Sequence, residues 1–183
     1  AGLETRDATV SRLPFLDTWN VPSFDAIDGR PLVRASFAKN VEVMSSITEI
    51  ARTFFEACEK GKGWEGCCQY CTVDATFSAQ SEPLLDVKTL AQYADWMQGL
   101  HTFMPDAGYE IKSFATDEER RAVCAYAVFS ATHTGEGGPC PPTGKSTSTD
   151  YVYVIEFDGD NKIRHMTKIW HSWLAMKDLG WVE

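Results

Sequence analysis

Apolar side chains recur at helical spacing in the first half of the sequence. Over residues 43–58 they follow three- and four-residue intervals, which predicts an amphipathic helix. Ser46 and Glu49 have the spacing of a capping box at a helix start. Gly61 and Gly63 predict where the helix ends, because glycine adopts the left-handed backbone found after helices.

Two further helices are predicted before the pattern changes. A short second helix is expected over residues 64–71. Asp86 is expected to cap a third helix that ends before Pro105. Its inward positions are Val87, Leu90, Tyr93, Ala94, Met97 and Leu100.

The second half of the sequence is rich in β-branched and aromatic residues, which favour strands. The predicted strands cover residues 74–78, 109–115, 121–133, 146–157 and 162–173. A Gly/Pro-rich loop over 135–144 and a turn over 158–161 separate the last three strands. A terminal helix over 174–181 is expected to plug one end of the domain.

Helices followed by a long antiparallel meander predict an α+β fold. We expect a curved antiparallel sheet wrapped around about three N-terminal helices, forming a cone-shaped α+β barrel. A strongly curved sheet over helices leaves an interior cleft, which is where small ligands usually bind.

The first 39 residues are predicted to form an extended N-terminal arm, and residues 40–183 form the domain. Pro14, Pro22 and Pro31 interrupt any regular structure in the arm, whereas Trp19 and Phe24 are among its large apolar side chains. Two interpretations stay open: the arm covers its own domain, or it docks on a partner subunit.

The charge of the chain excludes some classes of partner. The formal net charge is −9, which argues against binding nucleic acid or an anionic membrane surface. No apolar run approaches the ~20 residues of a membrane span. The sequence begins at Ala1, so we expect either a removed leader or a trimmed start, and the residues do not distinguish export from organelle import.

Six cysteines are present, but their spacing does not predict a metal site. Cys68 and Cys71 form a C-x-x-C pair, yet no second pair of Cys or His stands at ligand spacing. We therefore expect no bound metal, and buried free thiols.

Three sequence segments carry a family resemblance. They are Ala131-Thr-His-Thr-Gly-Glu136, Pro141-Pro-Thr-Gly-Lys145 and Asp158-Gly-Asp-Asn-Lys-Ile-Arg-His165. The chain resembles the SnoaL-like polyketide cyclase family, within the nuclear-transport-factor-like, cystatin-like superfamily, over about residues 47–181. The resemblance implies a cone with a pocket between helices and sheet. It does not specify one reaction, because the superfamily includes enzymes, binding modules and assembly subunits.

The resemblance also points to candidate catalytic residues on the last strand. It places the family's acid–base Asp at Thr167 and a neighbouring His at His165. A threonine hydroxyl does not take up a proton near neutral pH without an adjacent base, which disfavours the family's aldol cyclisation here. Histidine is the side chain best suited to exchanging protons near neutral pH, so His165 is the main candidate, with Thr167 beside it. Both are expected to face the interior of the cone. The alternative is a structural histidine that only hydrogen-bonds Thr167 or a tyrosine.

A second group of side chains is predicted to line the cleft and bind ligand. It consists of Trp64, Tyr93, His101, Tyr126, Tyr151 and Tyr153. Each tyrosine has the alternative role of a core aromatic with a satisfied hydroxyl, and His101 that of a helix cap. His133, before the Gly/Pro loop, is expected to be exposed.

Two functional hypotheses follow, and the sequence does not decide between them. One is an enzyme that binds a small apolar or aromatic carbonyl compound and moves a proton without a cofactor, by isomerisation, dehydration or cyclisation. The other is a non-catalytic subunit of a homodimer or larger assembly that uses the sheet face and the arm. Passive carriage of a hydrophobic ligand is a third possibility.

Overall fold

The structure is a computed structural model that describes residues 46–183. The predicted arm over 1–39 lies outside the described residues. The helices are α1 (Ile47–Glu59), α2 (Gly63–Cys67), α3 (Leu90–Phe103) and α4 (Ser172–Asp178). The strands are β1 (Cys71–Ala79), β2 (Gly108–Asp117), β3 (Ala122–Thr132), β4 (Ser146–Phe157) and β5 (Ile163–Trp170). Short 3₁₀ turns lie at Cys68–Tyr70 and Glu82–Leu84.

The strands form one curved, unclosed sheet in the order β1-β5-β4-β3-β2. Neighbouring strands are antiparallel except for β1 and β5, which run parallel because the chain forms α3 and the three-strand meander between them. The fold is therefore α+β, as the sequence predicted. None of the helices in the described part is long and apolar enough to cross a bilayer.

Capping boxes begin both long helices. Ser46 accepts a hydrogen bond from the Glu49 N–H, and the Glu49 carboxylate accepts one from the Ser46 N–H. Thr89 and Gln92 form the same arrangement at α3. The prediction that Asp86 caps the third helix is therefore wrong, because residues 82–84 form a separate turn first.

The face of the sheet that lies against the helices is the inner face, and it forms most of the core. Phe54 and Phe55 of α1 and Tyr93 of α3 are fully buried against it, together with Tyr153 and Ile155 of β4. Burying five such side chains accounts for roughly 10 kcal/mol of favourable transfer free energy, which offsets part of the chain's conformational entropy.

The C-terminal residues close one end of the cone. The last strand ends at Trp170 rather than 173, because His171 caps α4 through its ring, which accepts a hydrogen bond from the Leu174 N–H at 3.1 Å. His133 is fully buried, so the expectation of exposure is wrong. Its Nδ1 accepts a hydrogen bond from the Trp181 indole N–H at 2.9 Å, and Phe103 packs on its ring.

All six cysteines lie within the described residues and are free thiols. Cys58, Cys67 and Cys71 are buried, as expected, but Cys68 and Cys124 are exposed. Cys124 is exposed because it lies on β3 between Val123 and Ala125, which both face the core.

Candidate functional site

Four ionisable side chains from four elements meet between the helices and the sheet. Glu59 ends α1, Tyr93 lies on α3, Tyr153 on β4 and Lys168 on β5, and none is more than 7% exposed. Lysine and glutamate are rarely buried this far unless they are paired. We refer to these four residues as the core polar cluster.

Hydrogen bonds join the core polar cluster into one directed chain. Lys168 Nζ donates to the Tyr93 hydroxyl oxygen at 2.9 Å. The Tyr153 hydroxyl donates to Glu59 Oε1, and the Tyr93 and Tyr153 hydroxyls are hydrogen-bonded to each other. Because Tyr153 gives its hydrogen to the carboxylate, Tyr93 is the donor between the two phenols. The chain therefore runs from Lys168 through Tyr93 and Tyr153 to Glu59.

Aromatic rings surround the Lys168 amine. Its Nζ lies 4.8 Å from the centroid of Trp170, 5.0 Å from Tyr151, 5.4 Å from Tyr93 and 5.5 Å from Tyr153. The negative faces of such rings stabilise a cation, although less well than water does. These four aromatic rings therefore accommodate both the charged and the neutral form of the Lys168 amine.

Burial brings the pKa values of Lys168 and Glu59, the two ends of the hydrogen-bonded chain, closer together. Desolvation lowers the pKa of Lys168 from 10.5 to about 8, against the opposing attraction of Glu59. Desolvation likewise raises the pKa of Glu59, against the attraction of Lys168 and the hydrogen bond from Tyr153. A smaller difference in pKa lowers the cost of moving a proton from one end to the other.

The hydroxyl of Tyr151 is buried beside the Glu59 carboxyl, close enough to affect its pKa, but it makes no hydrogen bond of good geometry within residues 46–183. Its ring centroid lies 5.0 Å from that of Tyr153, and the residue is 2% exposed. Burial, followed by the nearby charge of Glu59, raises the pKa of Tyr151, so the phenol stays neutral. Buried hydroxyls without a well-formed hydrogen bond are uncommon in folded proteins.

Two cavities lie near the core polar cluster. An apolar cavity of about 40 Å³ is bounded by Trp96 and Trp170 on the cluster side and by residues of the C-terminal segment, including Leu179 and Trp181, on the other. This volume is well below the roughly 300 Å³ of small-molecule sites. A groove of about 520 Å³ runs where β1 and β5 end, and its lining includes Ser78, Thr167 and Lys168.

Residues 51–166 match the family model described as a SnoaL-like domain. The chain belongs to the SnoaL-like family. Among curated proteins, no sequence matches this one.

Solved structures of low sequence identity share the fold of this SnoaL-like domain. A protein from Streptomyces galilaeus, proposed to be a hydroxylase, is 20% identical with a TM-score of 0.61, over 76% of this chain and 99% of that one. A proposed polyketide cyclase from Acidithiobacillus ferrooxidans is 24% identical with a TM-score of 0.60, over 76% and 99% of the two chains. A proposed SnoaL-like polyketide cyclase from Jannaschia is 14% identical with a TM-score of 0.62, over 75% and 93%.

The expectation that His165 and Thr167 face the interior of the SnoaL-like domain is wrong. Both lie on the outer face, where His165 Nδ1 is 2.7 Å from Thr76 Oγ1 and Nε2 is 3.1 Å from Thr167 Oγ1 and 3.2 Å from Ser78 Oγ. The cause is an extra residue in β5: Phe157 pairs with Ile163, whereas Glu156 pairs with His165. This bulge at residue 164 reverses the alternation that begins at Ile163.

Three of the six side chains predicted to bind ligand come together in the SnoaL-like domain. Tyr93, Tyr151 and Tyr153 meet around Lys168. Tyr126 does not line the interior, because it alternates with inward alanines, and its hydroxyl donates to Asp150 on the outer face at 2.8 Å.

The other two of the six lie on the helices. His101 is half-buried, with Nε2 3.0 Å from the carbonyl oxygen of Glu59, so it contacts the end of α1. Trp64 is half-buried on α2, and its backbone N–H donates to Asp95 Oδ1 at 2.8 Å.

Sequence reasoning missed both ionisable ends of the core polar cluster. Lys168 lies two residues after Met166, an apolar side chain that marks the inward face of β5. Glu59 lies four residues after Phe55 and shares its inward stripe on α1. Both signals were present, but a charged residue in such a position is more often solvated than buried.

Proposed function

We propose that this SnoaL-like domain binds a small apolar or aromatic carbonyl compound inside the cone and catalyses proton transfer on it without a cofactor. The reaction class is isomerisation, dehydration or cyclisation next to the carbonyl group. One observation carries the proposal: a buried amine and a buried carboxyl are joined through two phenols by continuous hydrogen bonds. Family membership supports the same class of chemistry.

The chain of hydrogen bonds has two arrangements that differ by the shift of three protons. In one, Lys168 is an ammonium and Glu59 a carboxylate. In the other, each donor has passed its proton one place on, so that Lys168 is a neutral amine and Glu59 a carboxylic acid. One end of the relay therefore delivers a proton while the other accepts one, as removal and return of a proton at neighbouring substrate atoms requires.

The interior has the polarity that a small carbonyl compound needs. Tyr151 presents an unpartnered hydroxyl that suits a carbonyl oxygen, and Tyr93 supplies the first proton of the relay. Trp96 and Trp170 present apolar surface at the small cavity. Ala175 and Met176 of α4 form the opposite side of that cavity. The larger groove at the ends of β1 and β5 has Lys168 in its lining.

A direct test is hydrogen–deuterium exchange at the carbon next to a carbonyl. The probe is 2-tetralone in deuterated buffer at neutral pH, followed by proton NMR. The domain is expected to accelerate exchange, and Lys168→Met to lower the rate at least about 100-fold, because acid–base groups contribute factors of this size. Lys162→Met is the matched control, since Lys162 lies at the surface and donates to the Gln69 carbonyl.

His165 and Thr167 remain the competing assignment, and the same assay separates the two. With Lys168 as the proton carrier, His165→Gln leaves the exchange rate within about twofold, because the imidazole contacts only outer-face hydroxyls. A loss of exchange in His165→Gln with full activity in Lys168→Met would reject the core polar cluster. Absence of exchange in the unmodified protein would reject the proposed function.

Assembly is a second candidate function, supported by apolar side chains at the surface. Val73 of β1 is 99% exposed and Ile169 of β5 is 60% exposed. In this role the outer face and the arm over residues 1–39 join two copies or a larger assembly. Light scattering on Ile169→Glu and on a chain lacking residues 1–31 is expected to show a smaller mass in solution, and an unchanged mass in both would remove this candidate.

A further inference from the structure

The Lys168 amine lies in an environment that favours carbonyl chemistry at its nitrogen. Among the described residues, its one hydrogen-bond partner is the Tyr93 hydroxyl, and aromatic faces cover the other directions. A surface lysine such as Lys162 is by contrast exposed and donates to a backbone carbonyl. An amine surrounded by apolar rings has little contact with water, and buried lysines of this kind form Schiff bases.

We propose that Lys168 attacks the carbonyl carbon of a small aldehyde or ketone and holds it inside the cone as an imine. This inference rests on the proposed function, because it uses the same site and the same class of substrate. It adds that the substrate is bound covalently during proton transfer.

The step balances with the groups present. The nitrogen lone pair of neutral Lys168 forms a bond to the carbonyl carbon, and the C=O π electrons move to oxygen, which takes a proton from Tyr93. Tyr153 and then Glu59 replace that proton. The nitrogen then loses a proton to the departing oxygen, the C–O bond breaks and water leaves. Amine, carboxylic acid and carbonyl compound thus give a protonated imine, a carboxylate and water.

The charges of the core polar cluster fit the product of this step. The protonated imine takes the position of the Lys168 ammonium, and Glu59 carries the same negative charge as in the resting pair. The iminium nitrogen keeps one hydrogen to donate to Tyr93. No new charge is buried, so the desolvation cost already present in the folded protein is not increased.

The protonation of Lys168 supports the same inference. Burial lowers its pKa to about 8 from 10.5. At neutral pH the neutral amine is then about 300 times more abundant than in an ordinary lysine. This excess offsets the lower intrinsic nucleophilicity of a less basic amine.

Reductive trapping tests the proposal. The intact protein is incubated with limiting propanal and sodium cyanoborohydride at neutral pH, and the modified residue is located by peptide mass spectrometry. Propylation is expected at Lys168 at least about tenfold faster than at Lys162. Lys162→Met retains the adduct and Lys168→Met lacks it. Tyr93→Phe keeps the amine but interrupts the relay, so its adduct is expected to form more slowly.

The outcomes separate this inference from the proposed function. Propyl groups spread over the surface lysines, with Lys168 unmodified, would overturn the imine. If 2-tetralone exchange is nevertheless catalysed, proton transfer proceeds without a covalent bond and the proposed function stands. If Lys168 is trapped but no exchange is catalysed, the imine stands and the proposed function fails.

Discussion

At the scale of single residues, Tyr151 and Tyr153 show that two buried tyrosines in one strand have different roles. Both rings pack on Phe55 of α1. The Tyr153 hydroxyl is held between Glu59 and Tyr93, whereas the Tyr151 hydroxyl has no partner in the described part. The first hydroxyl supports the fold, whereas the second lies beside Glu59 without a hydrogen bond of good geometry.

Removing these two hydroxyls separates stability from binding. Tyr153→Phe is expected to lower the free energy of unfolding by about 2 kcal/mol, because it leaves the buried Glu59 carboxyl without its donor. Tyr151→Phe is expected to leave it unchanged or raise it by about 1 kcal/mol, because an unpartnered polar group is removed. Urea denaturation of both variants measures the difference, and equal losses would contradict the assignment.

The buried amine makes stability depend on pH with a defined sign. Between about 8 and 10.5 the unfolded chain keeps the Lys168 proton and the folded chain has lost it. The unfolded state then binds more protons, so this group makes the free energy of unfolding rise with pH, at up to about 1.4 kcal/mol per pH unit. Below this window Lys168 is charged in both states, and its desolvation cost is fully present.

Chemical denaturation from pH 8 upward measures this effect, and Lys168→Met is the reference. The unmodified protein is expected to have the more positive slope against pH, because the variant lacks the titrating group. Identical slopes would show that Lys168 is not the source. The unmodified protein is compared with the variant because other groups also titrate here. Cys58, whose pKa is raised chiefly by a hydrogen bond with Cys67 and by burial, opposes the trend above the ordinary cysteine value of 9.0.

At the scale of elements, the core polar cluster links α1 to β5. Glu59 is the last residue of the helix, and Lys168 is the sixth residue of the strand. Tyr93 of α3 and Tyr153 of β4 connect them, so four elements share one set of hydrogen bonds. Loss of either charged end leaves the other buried without a counterion.

A double-mutant cycle measures this link. Glu59→Gln and Lys168→Met are each expected to lower the free energy of unfolding by about 3 kcal/mol, because each leaves one buried charge unpaired. The double variant is expected to lose at least about 2 kcal/mol less than the sum, since both charges are then gone. Additive losses would mean that the two groups do not interact. Proton exchange on 2-tetralone is expected to stay absent in the double variant even where stability returns.

At the scale of the whole molecule, the C-terminal segment closes the cone. Trp181 donates to His133 Nδ1, and Thr143 of the Gly/Pro loop donates to the Leu179 carbonyl at 2.8 Å. Gly135 lies so near α3 that an added Cβ would clash with the Thr102 carbonyl oxygen. The loop, α3 and the C-terminus are therefore one packed unit around the small apolar cavity.

Two tryptophan substitutions test this closure. Trp181→Phe is expected to lower the free energy of unfolding by about 2 kcal/mol, because His133 loses its donor and the packing around it loosens. Trp173→Phe is the matched control and is expected to change it by less than about 0.5 kcal/mol, since Trp173 is half-exposed and contacts Lys177 at the surface. Similar losses in the two variants would show that Trp181 does not hold the end of the cone.

Much of the fold could be predicted from local sequence patterns. The helical periodicity around Phe54 and Phe55, the capping box at Ser46 and the long β-branched strands all correspond to observed elements. These signals are local, because they depend on residues within one turn or one strand. The α3 start at Thr89 and the end of β5 at Trp170 were misplaced, because competing caps stand only a few residues away.

The sequence by itself determined the α+β class and the family, and three of the four tyrosines that it placed in the interior lie there, Tyr126 being the exception. Tertiary structure alone decided which face of β5 is inward. One bulge residue turns His165 outward and Lys168 inward, and the alternation of residues along a strand does not reveal where a bulge occurs. It also decided that Glu59 and Lys168 are buried together. Residues 109 positions apart become partners through the packing of a helix end against a strand, which no local pattern specifies.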